Sequence, residues 1–290
     1  MGGAMEIRLS AKGLDLQVDK VHIPAGSRSV PALVLMPKSP RADAPGVLWI
    51  HGGGYLTGMK EMVFMSRAVD LVTHFGAVVV SPGYRLSWRA PYPAALEDCY
   101  ASLLWLRDKA GRLGVNASQL MVGGESAGGG LCAAVCLLAR DRGEVRVAYQ
   151  MPLYPMIDNL DTKTSRDNRN KVWNTRRNHL AWKLYLRGKA RASDVESYAA
   201  PARATDLTGL PPAYTFVSTG EPFYAETLAY VQALREAGVQ ADVDVYEGLY
   251  HAFDMLDPRL PESLQARERF CEHFAWAIKH CFASQTGVLS

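Results

Sequence analysis

Apolar runs and polar breaks divide the chain into short strands that alternate with amphipathic helices. Val30 to Met36 has strand character within an irregular or β-rich opening of about 40 residues, and Pro37 to Pro45 is a turn-rich break. Val47 to Ile50, Ala77 to Ser81, Leu120 to Gly123, Val145 to Leu153, Ala213 to Ser218 and Val243 to Tyr246 read as further strands. Between them, Leu96, Cys99, Tyr100, Leu103 and Leu104 recur at helical spacing in a helix that runs to about Gly111. Leu131 to Arg140 is another amphipathic run. Tyr224, Leu228, Val231 and Leu234 make a helix that stops at Gly238, and Phe270, Phe274, Ile278 and Cys281 share one face of a closing helix. Continuous apolar strands alternating with helices predict an α/β fold with a mostly parallel sheet covered on both faces.

One segment breaks the alternation. Residues 156 to about 209 contain no convincing strand, and they carry Trp173, Trp182 and Tyr185 among many cations, from Lys163 and Arg166 to Lys189 and Arg191. We read this as a helical insertion forming a cap over the carboxyl edge of the sheet. Its charge fits a solvated outer face; attraction of anionic substrates is the alternative.

Composition narrows the picture. The chain has 290 residues, 48% of them hydrophobic, and a net charge of +3. That predicts one domain spanning residues 1–290 and gives no electrostatic reason to expect nucleic acid. The start, Met1-Gly2-Gly3-Ala4-Met5-Glu6, lacks a basic stretch followed by an apolar one, and no apolar run reaches membrane-spanning length. The expectation is a cytoplasmic protein with no membrane partner, as a monomer or homodimer. The five cysteines are odd in number and lie in helix-like runs, so buried free thiols are expected. Cys132 and Cys136 sit four apart on one presumed helix face. Nothing nearby completes a metal site, and packing is the expected role.

Candidate chemistry centres on Gly124-Glu125-Ser126-Ala127-Gly128, between the strand ending at Gly123 and the helix that follows. The pattern Gly-x-Ser-x-Gly in a strand–turn–helix setting is a nucleophile elbow, which holds the serine hydroxyl clear of the sheet. By itself it is a weak signal, expected by accident in roughly one such chain in ten. A serine nucleophile needs a base, an orienting acid and an oxyanion site. Of the seven histidines, His251 alone lies in a loop directly after a final strand, where reactive groups of an α/β sheet collect. The acid is expected between serine and histidine in chain order. Glu221 fits, a short turn beyond Ala213 to Ser218, with Glu226, Glu247 and Asp254 as rivals. His51-Gly52-Gly53-Gly54 follows the first apolar strand. Its glycines leave N–H groups free, so Gly53 and Gly54, with Ala127, are the expected oxyanion donors. His51 is expected to shape that loop.

With these motifs in place the chain resembles the hormone-sensitive-lipase-like family of α/β-hydrolase esterases. The resemblance runs through His51-Gly52-Gly53-Gly54-Tyr55, Tyr84-Arg85-Leu86, Pro93 to Asp98, Gly124 to Gly129, Gly209-Leu210-Pro211-Pro212, Gly220-Glu221-Pro222 and His251-Ala252-Phe253. It implies hydrolysis of carboxylic esters through an acyl-enzyme, without metal or cofactor. It also implies a cap built from the N-terminal segment, about residues 1–40, together with the 156–209 insertion. Three departures stand out. The family's aspartate is replaced by Glu221, one methylene longer. Ser87-Trp88-Arg89-Ala90 replaces the usual continuation after Leu86. The N-terminal segment is short, which predicts less cover over the pocket.

The function expected is a serine carboxylesterase for short to medium acyl esters, using Ser126, Glu221 and His251. Tyr55, Trp88, Trp173 and Phe223 are the candidate pocket walls. An amidase or deacetylase on the same triad is the alternative, and a non-catalytic small-molecule receptor on this scaffold is a more distant one.

Overall fold

A computed structural model describes residues 10–39, 41–187 and 192–285. In chain order the strands are β1 (Gln17–Ala25), β2 (Arg28–Met36), β3 (Ala44–Ile50), β4 (Val78–Pro82), β5 (Val115–Glu125), β6 (Tyr149–Leu153), β7 (Ala213–Ser218) and β8 (Ala241–Tyr246). The helices are α1 (Ala68–Phe75), α2 (Ala94–Leu113), α3 (Ala127–Arg142), α4 (Thr175–Tyr185), α5 (Tyr224–Glu236), α6 (Phe253–Leu256) and α7 (Pro261–His280). The strands form one sheet in the order β1-β2-β4-β3-β5-β6-β7-β8. β1, β2 and β4 pair antiparallel, and every pairing from β4 across to β8 is parallel.

β3, β4, β6 and the Gln119–Glu125 part of β5 are buried on both faces, as parallel strands under two helical layers must be. On one face α2, α3 and α5 pack over Val34, Leu48, Ile50, Val80 and Val122. On the other, α1 and α7 cover Val47, Trp49, Val79, Met121 and Phe216. Cys132 and Cys136 are buried in α3, and the Cys132 thiol donates to the Val122 carbonyl.

Three expectations change. Residues 17–36, expected in the cap, form the antiparallel edge of the sheet instead, and no helix occurs in residues 10–39. The strand expected from Val145 begins at Tyr149. α1, which contains only eight residues, has no counterpart in the reading of the sequence.

The 156–209 insertion contains no strand among its described residues, and it holds one α-helix, α4. Lys189 and Arg191 lie outside the described residues. Its base is closed. The Glu226 carboxylate, on the first turn of α5, accepts the N–H groups of Ile157 (2.8 Å) and Asp158 (3.2 Å) where the segment leaves the sheet. The Ala202 N–H, near its far end, donates to the Ile157 carbonyl at 3.1 Å.

The order of the strands reverses at β3. The chain goes from β3 to β4 on one side, then crosses to β5 on the other. A crevice opens at the carboxyl ends of strands where winding reverses, and ligand sites of open α/β sheets form there. The glycine loop follows β3 and Ser126 follows β5; the register sets Ile50 beside Gly124.

Candidate active site

The elbow between β5 and α3 holds Ser126 at φ 57°, ψ −119°, a backbone conformation that non-glycine residues rarely adopt. Three bonds hold it there. Its N–H donates to the Leu153 carbonyl (3.0 Å), and its carbonyl accepts from Gly130 (2.9 Å) and Met156 (3.0 Å). Gly128 is required by close passage: a Cβ there would lie 2.6 Å from the His51 carbonyl oxygen. The glycine loop and the start of α3 can therefore approach to backbone contact.

His251 follows β8, and Glu221 follows β7, its parallel neighbour. Their side chains meet beneath the cap. The His251 Nδ1–H donates to Glu221 Oε2, and the Ser126 hydroxyl donates to His251 Nε2 at 2.9 Å. These directions follow from an ionised carboxylate, which can only accept. All three residues are buried. The extra methylene of Glu221 is absorbed locally. The side chain folds back on its own turn, and Glu221 Oε1 accepts the Ser218 N–H at 3.1 Å.

Aromatic rings confine the imidazole. Phe223 (centroids 5.0 Å apart, rings at 84°) and Tyr154 (5.2 Å, 82°) meet it edge to face, and Trp173 of the cap lies 6.4 Å away. Tyr154 continues into a buried charge chain. Its hydroxyl donates to Asp254 Oδ1 (2.9 Å), and Asp254 Oδ2 faces Arg67 Nε at 3.5 Å. Arg67 lies 3.2 Å from Asp70, which Arg267 meets at 2.6 Å from the surface. Burial raises the Asp254 carboxyl above its ordinary range, with Arg67 opposing.

Glu125, next to the nucleophile, is also buried. Desolvation pushes its carboxyl up to about 8, against the pull of the Trp49 Nε1–H it accepts at 2.8 Å. It is protonated at neutral pH and adds no anion beside Ser126. His51 moves the other way: burial lowers it to about 4. It is neutral, stacks on Tyr84 at 4.2 Å and places Nδ1 2.8 Å from the Gly52 carbonyl, so it shapes the loop.

In the glycine loop, the Gly53 carbonyl accepts from Leu56 (3.1 Å) and Thr57 (3.0 Å), which turns the loop back on itself. Gly53 (φ 113°) and Gly54 (φ 61°) both occupy the positive-φ region. A Cβ on Gly54 would collide with the ring of Trp173. Among the described residues, the N–H groups of Gly53, Gly54 and Ala127 have no protein acceptor.

The rival acids have other work. Glu226 clamps the base of the cap, Asp254 belongs to the charge chain, and Glu247 accepts the exposed Thr219 hydroxyl at 3.0 Å. The candidate pocket walls divide. Trp173 and Phe223 are at the site. Tyr55 is buried, donates to the Met156 carbonyl (2.8 Å) and stacks on Tyr185 (4.1 Å), so it anchors the cap. Trp88 is 60% exposed, with the Arg89 guanidinium 4.8 Å from its ring. The preceding Tyr84-Arg85-Leu86 is a brace: Arg85 makes a two-pronged pair with Asp98 (2.8 and 2.9 Å), pinning this loop to α2. Arg67, Tyr154 and the role of Asp254 were not legible in the sequence. They sit at element ends, Arg67 just before α1, Tyr154 just after β6 and Asp254 in the short α6, where a polar residue draws no notice.

An alpha/beta hydrolase fold family model matches residues 47–255, from the strand before the glycine loop to just beyond His251. The chain belongs to this family, in its hormone-sensitive-lipase-like branch. It is similar to esterase LipI of Mycobacterium tuberculosis, with 30% identity over 88% of this chain and 79% of that protein. It is also similar to an arylesterase of Saccharolobus solfataricus, with 31% identity over 71% and 67% of the two chains. Among solved structures, a bacterial heroin esterase superposes with a TM-score of 0.86 at 33% identity, over 91% of this chain and 84% of that one.

Proposed function

We propose that this carboxylic ester hydrolase is a serine esterase for short to medium acyl esters, working through an acyl-enzyme. The observation that carries the reading is the hydrogen-bonded line Glu221–His251–Ser126, set across a crevice from a loop with free N–H groups. A serine hydroxyl is a poor nucleophile until its proton is taken during attack. His251 Nε2 takes that proton as Ser126 Oγ bonds to the ester carbonyl carbon. Glu221 fixes the imidazole's tautomer and stabilises the imidazolium. Gly53, Gly54 and Ala127 N–H groups stabilise the oxyanion, each typically contributing about 3 kcal/mol in the transition state. His251 then protonates the leaving alkoxide, and the alcohol departs. In the second half it deprotonates the water that attacks the acyl-enzyme, and Ser126 is released with the acid.

Trp173 lies over Gly54 and near His251, which limits the space above the reacting carbon and favours modest acyl groups. The test is labelling with a fluorophosphonate followed by mass mapping. Stoichiometric modification of Ser126, abolished in His251→Ala, is expected. Well-folded protein that stays unlabelled, or carries the label elsewhere, would overturn the reading. Matched aryl esters and anilides separate it from an amidase, and faster ester turnover is expected.

A further inference from the structure

The outer surface of the cap has a pattern that the hydrolysis does not use. Residues 156–187 contain eight Lys and Arg against three Asp, a net +5, whereas the whole chain carries +3. The remainder of the chain is therefore net acidic, and the positive charge is concentrated on the cap. All eight cations are exposed. An exposed Lys or Arg face by itself needs only water.

The apolar side chains among them need another account. α4 buries Asn178, Ala181, Trp182 and Tyr185, the last two against Tyr55. Its opposite side carries Arg176, Leu180, Lys183 and Leu184, and Arg187 follows one turn on. At 100° per residue the four helical residues fall within one arc of about 100°, and Arg187 stands past the end of the helix at φ 50°. Leu180 is 52% exposed and Leu184 38%. They are neighbours at i, i+4, flanked on the same face by Arg176 and Lys183. The loop bearing the exposed Trp88 is joined to the same helix: the Tyr92 N–H donates to the Tyr185 carbonyl at 2.9 Å. Scattered exposed leucines are ordinary. Paired exposed leucines flanked by cations are the arrangement of helices that lie in a membrane interface.

We propose that the outer face of α4 docks on an anionic phospholipid surface. The cations meet the headgroups, and Leu180 and Leu184 enter the boundary with the acyl chains. The face is a single convex helix, so its leucines protrude, which suits a fluid surface. No helix among the described residues is long and apolar enough to cross a membrane, so the contact is peripheral. Asn174 caps this helix, and the adjacent Trp173 lies over Gly54. Docking therefore brings the mouth of the candidate site to the lipid, where apolar esters concentrate. The contact is independent of the reaction and is measurable in Ser126→Ala.

Sedimentation with vesicles of phosphatidylglycerol or phosphatidylcholine tests it on the full chain. Partitioning onto the anionic vesicles should be about 100-fold stronger at low salt and fall as salt rises. R176E/K183E/R187E should abolish the preference. L180S/L184S should weaken binding by about tenfold and leave the salt dependence intact. Turnover of a water-soluble aryl ester should be unchanged in both variants, which shows that they fold. Equal partitioning onto the two lipids, no partitioning, or binding insensitive to either variant would overturn the proposal. So would equally tight retention on polyglutamate that ignores the leucines, since an acidic polymer would then be partner enough.

Discussion

Two regions meet at the triad and are held by different physics. The floor beneath His251 is a buried chain of full charges, Arg67, Asp70 and Asp254, closed by Tyr154. The roof is the cap, where described residues 158–187 are held largely by short-range side-chain-to-backbone bonds. Thr175 donates to the Ser165 (2.6 Å) and Asn168 (3.1 Å) carbonyls, and the Asn174 side chain accepts from the Arg177 N–H (3.1 Å). A buried charge that loses its partner remains trapped in a low dielectric, whereas a loop bond that breaks is replaced by water. The floor is therefore costly to disturb and suited to fixing the base. The roof can be rebuilt at small cost and suited to setting what enters.

The largest expected effect is at the line both regions enclose. Ser126→Ala or His251→Ala should lower kcat/KM by about 10⁴-fold or more, with unchanged melting. Glu221→Gln should cost about 10³-fold, because an amide cannot stabilise the imidazolium. Glu221→Asp is the sharper variant: its shorter arm cannot face His251 and also accept the Ser218 N–H, so an intermediate loss, on the order of tenfold, is expected. Full activity in Glu221→Asp would show that the folded-back geometry is unimportant.

The next comparison sets floor directly against roof. Arg67→Met leaves Asp254 as a buried anion without its cation, while Asp70 keeps Arg267, and should cost about 3–5 kcal/mol in urea unfolding. Arg203→Met removes the part-exposed partner of Asp158 at the cap's base (2.7 Å) and should cost about 1 kcal/mol. Equal losses would abolish the distinction. Tyr154→Phe keeps the ring edge against His251 and removes the bond to Asp254. Its expected effect is a fall of about tenfold in kcat with KM held, and a structural role alone would leave kcat unmoved.

The smallest effect is one of pH. Glu125 holds its proton in the folded state up to about 8, but in the unfolded chain it ionises in the ordinary carboxyl range. The folded state thus binds the extra proton across that window. Stability from this group is full at low pH and is lost as pH rises towards 8, by at most about 1.4 kcal/mol per unit. Glu125→Gln, which still accepts from Trp49, should flatten that slope in unfolding measured between pH 5 and 8. An unchanged slope would exclude Glu125 as its source.

The sequence disclosed what repeats and what must be small. Apolar runs located the parallel strands, and glycines that permit backbone contact, such as Gly128, marked the elbow and its facing loop. β1 escaped because it is an edge strand with a single buried side chain, Ile23, so it lacks the apolar run. The chain from Arg67 to Tyr154 escaped for a different reason. Its members lie between 3 and 187 positions apart and look individually like surface residues. Tyr55 was readable as an aromatic beside the glycine loop, but nothing local distinguishes a ring that lines a pocket from one that anchors a cap. Glu221 was legible as the acid from its place after β7, whereas its fold-back depends on a turn geometry that composition leaves open.

The closed base of the cap also bears on how this scaffold diversifies. The segment leaves at Ile157 and returns at Ala202, and these two residues are hydrogen-bonded to each other. Glu226 grips the departure point from α5, outside the segment. An insertion whose ends already touch can be exchanged for another of different length without moving the strands that carry the triad. Residues 158–201 thus form a transplantable module, and a chimera that keeps Ile157, Ala202 and Glu226 would inherit this chain's chemistry with a foreign choice of substrate.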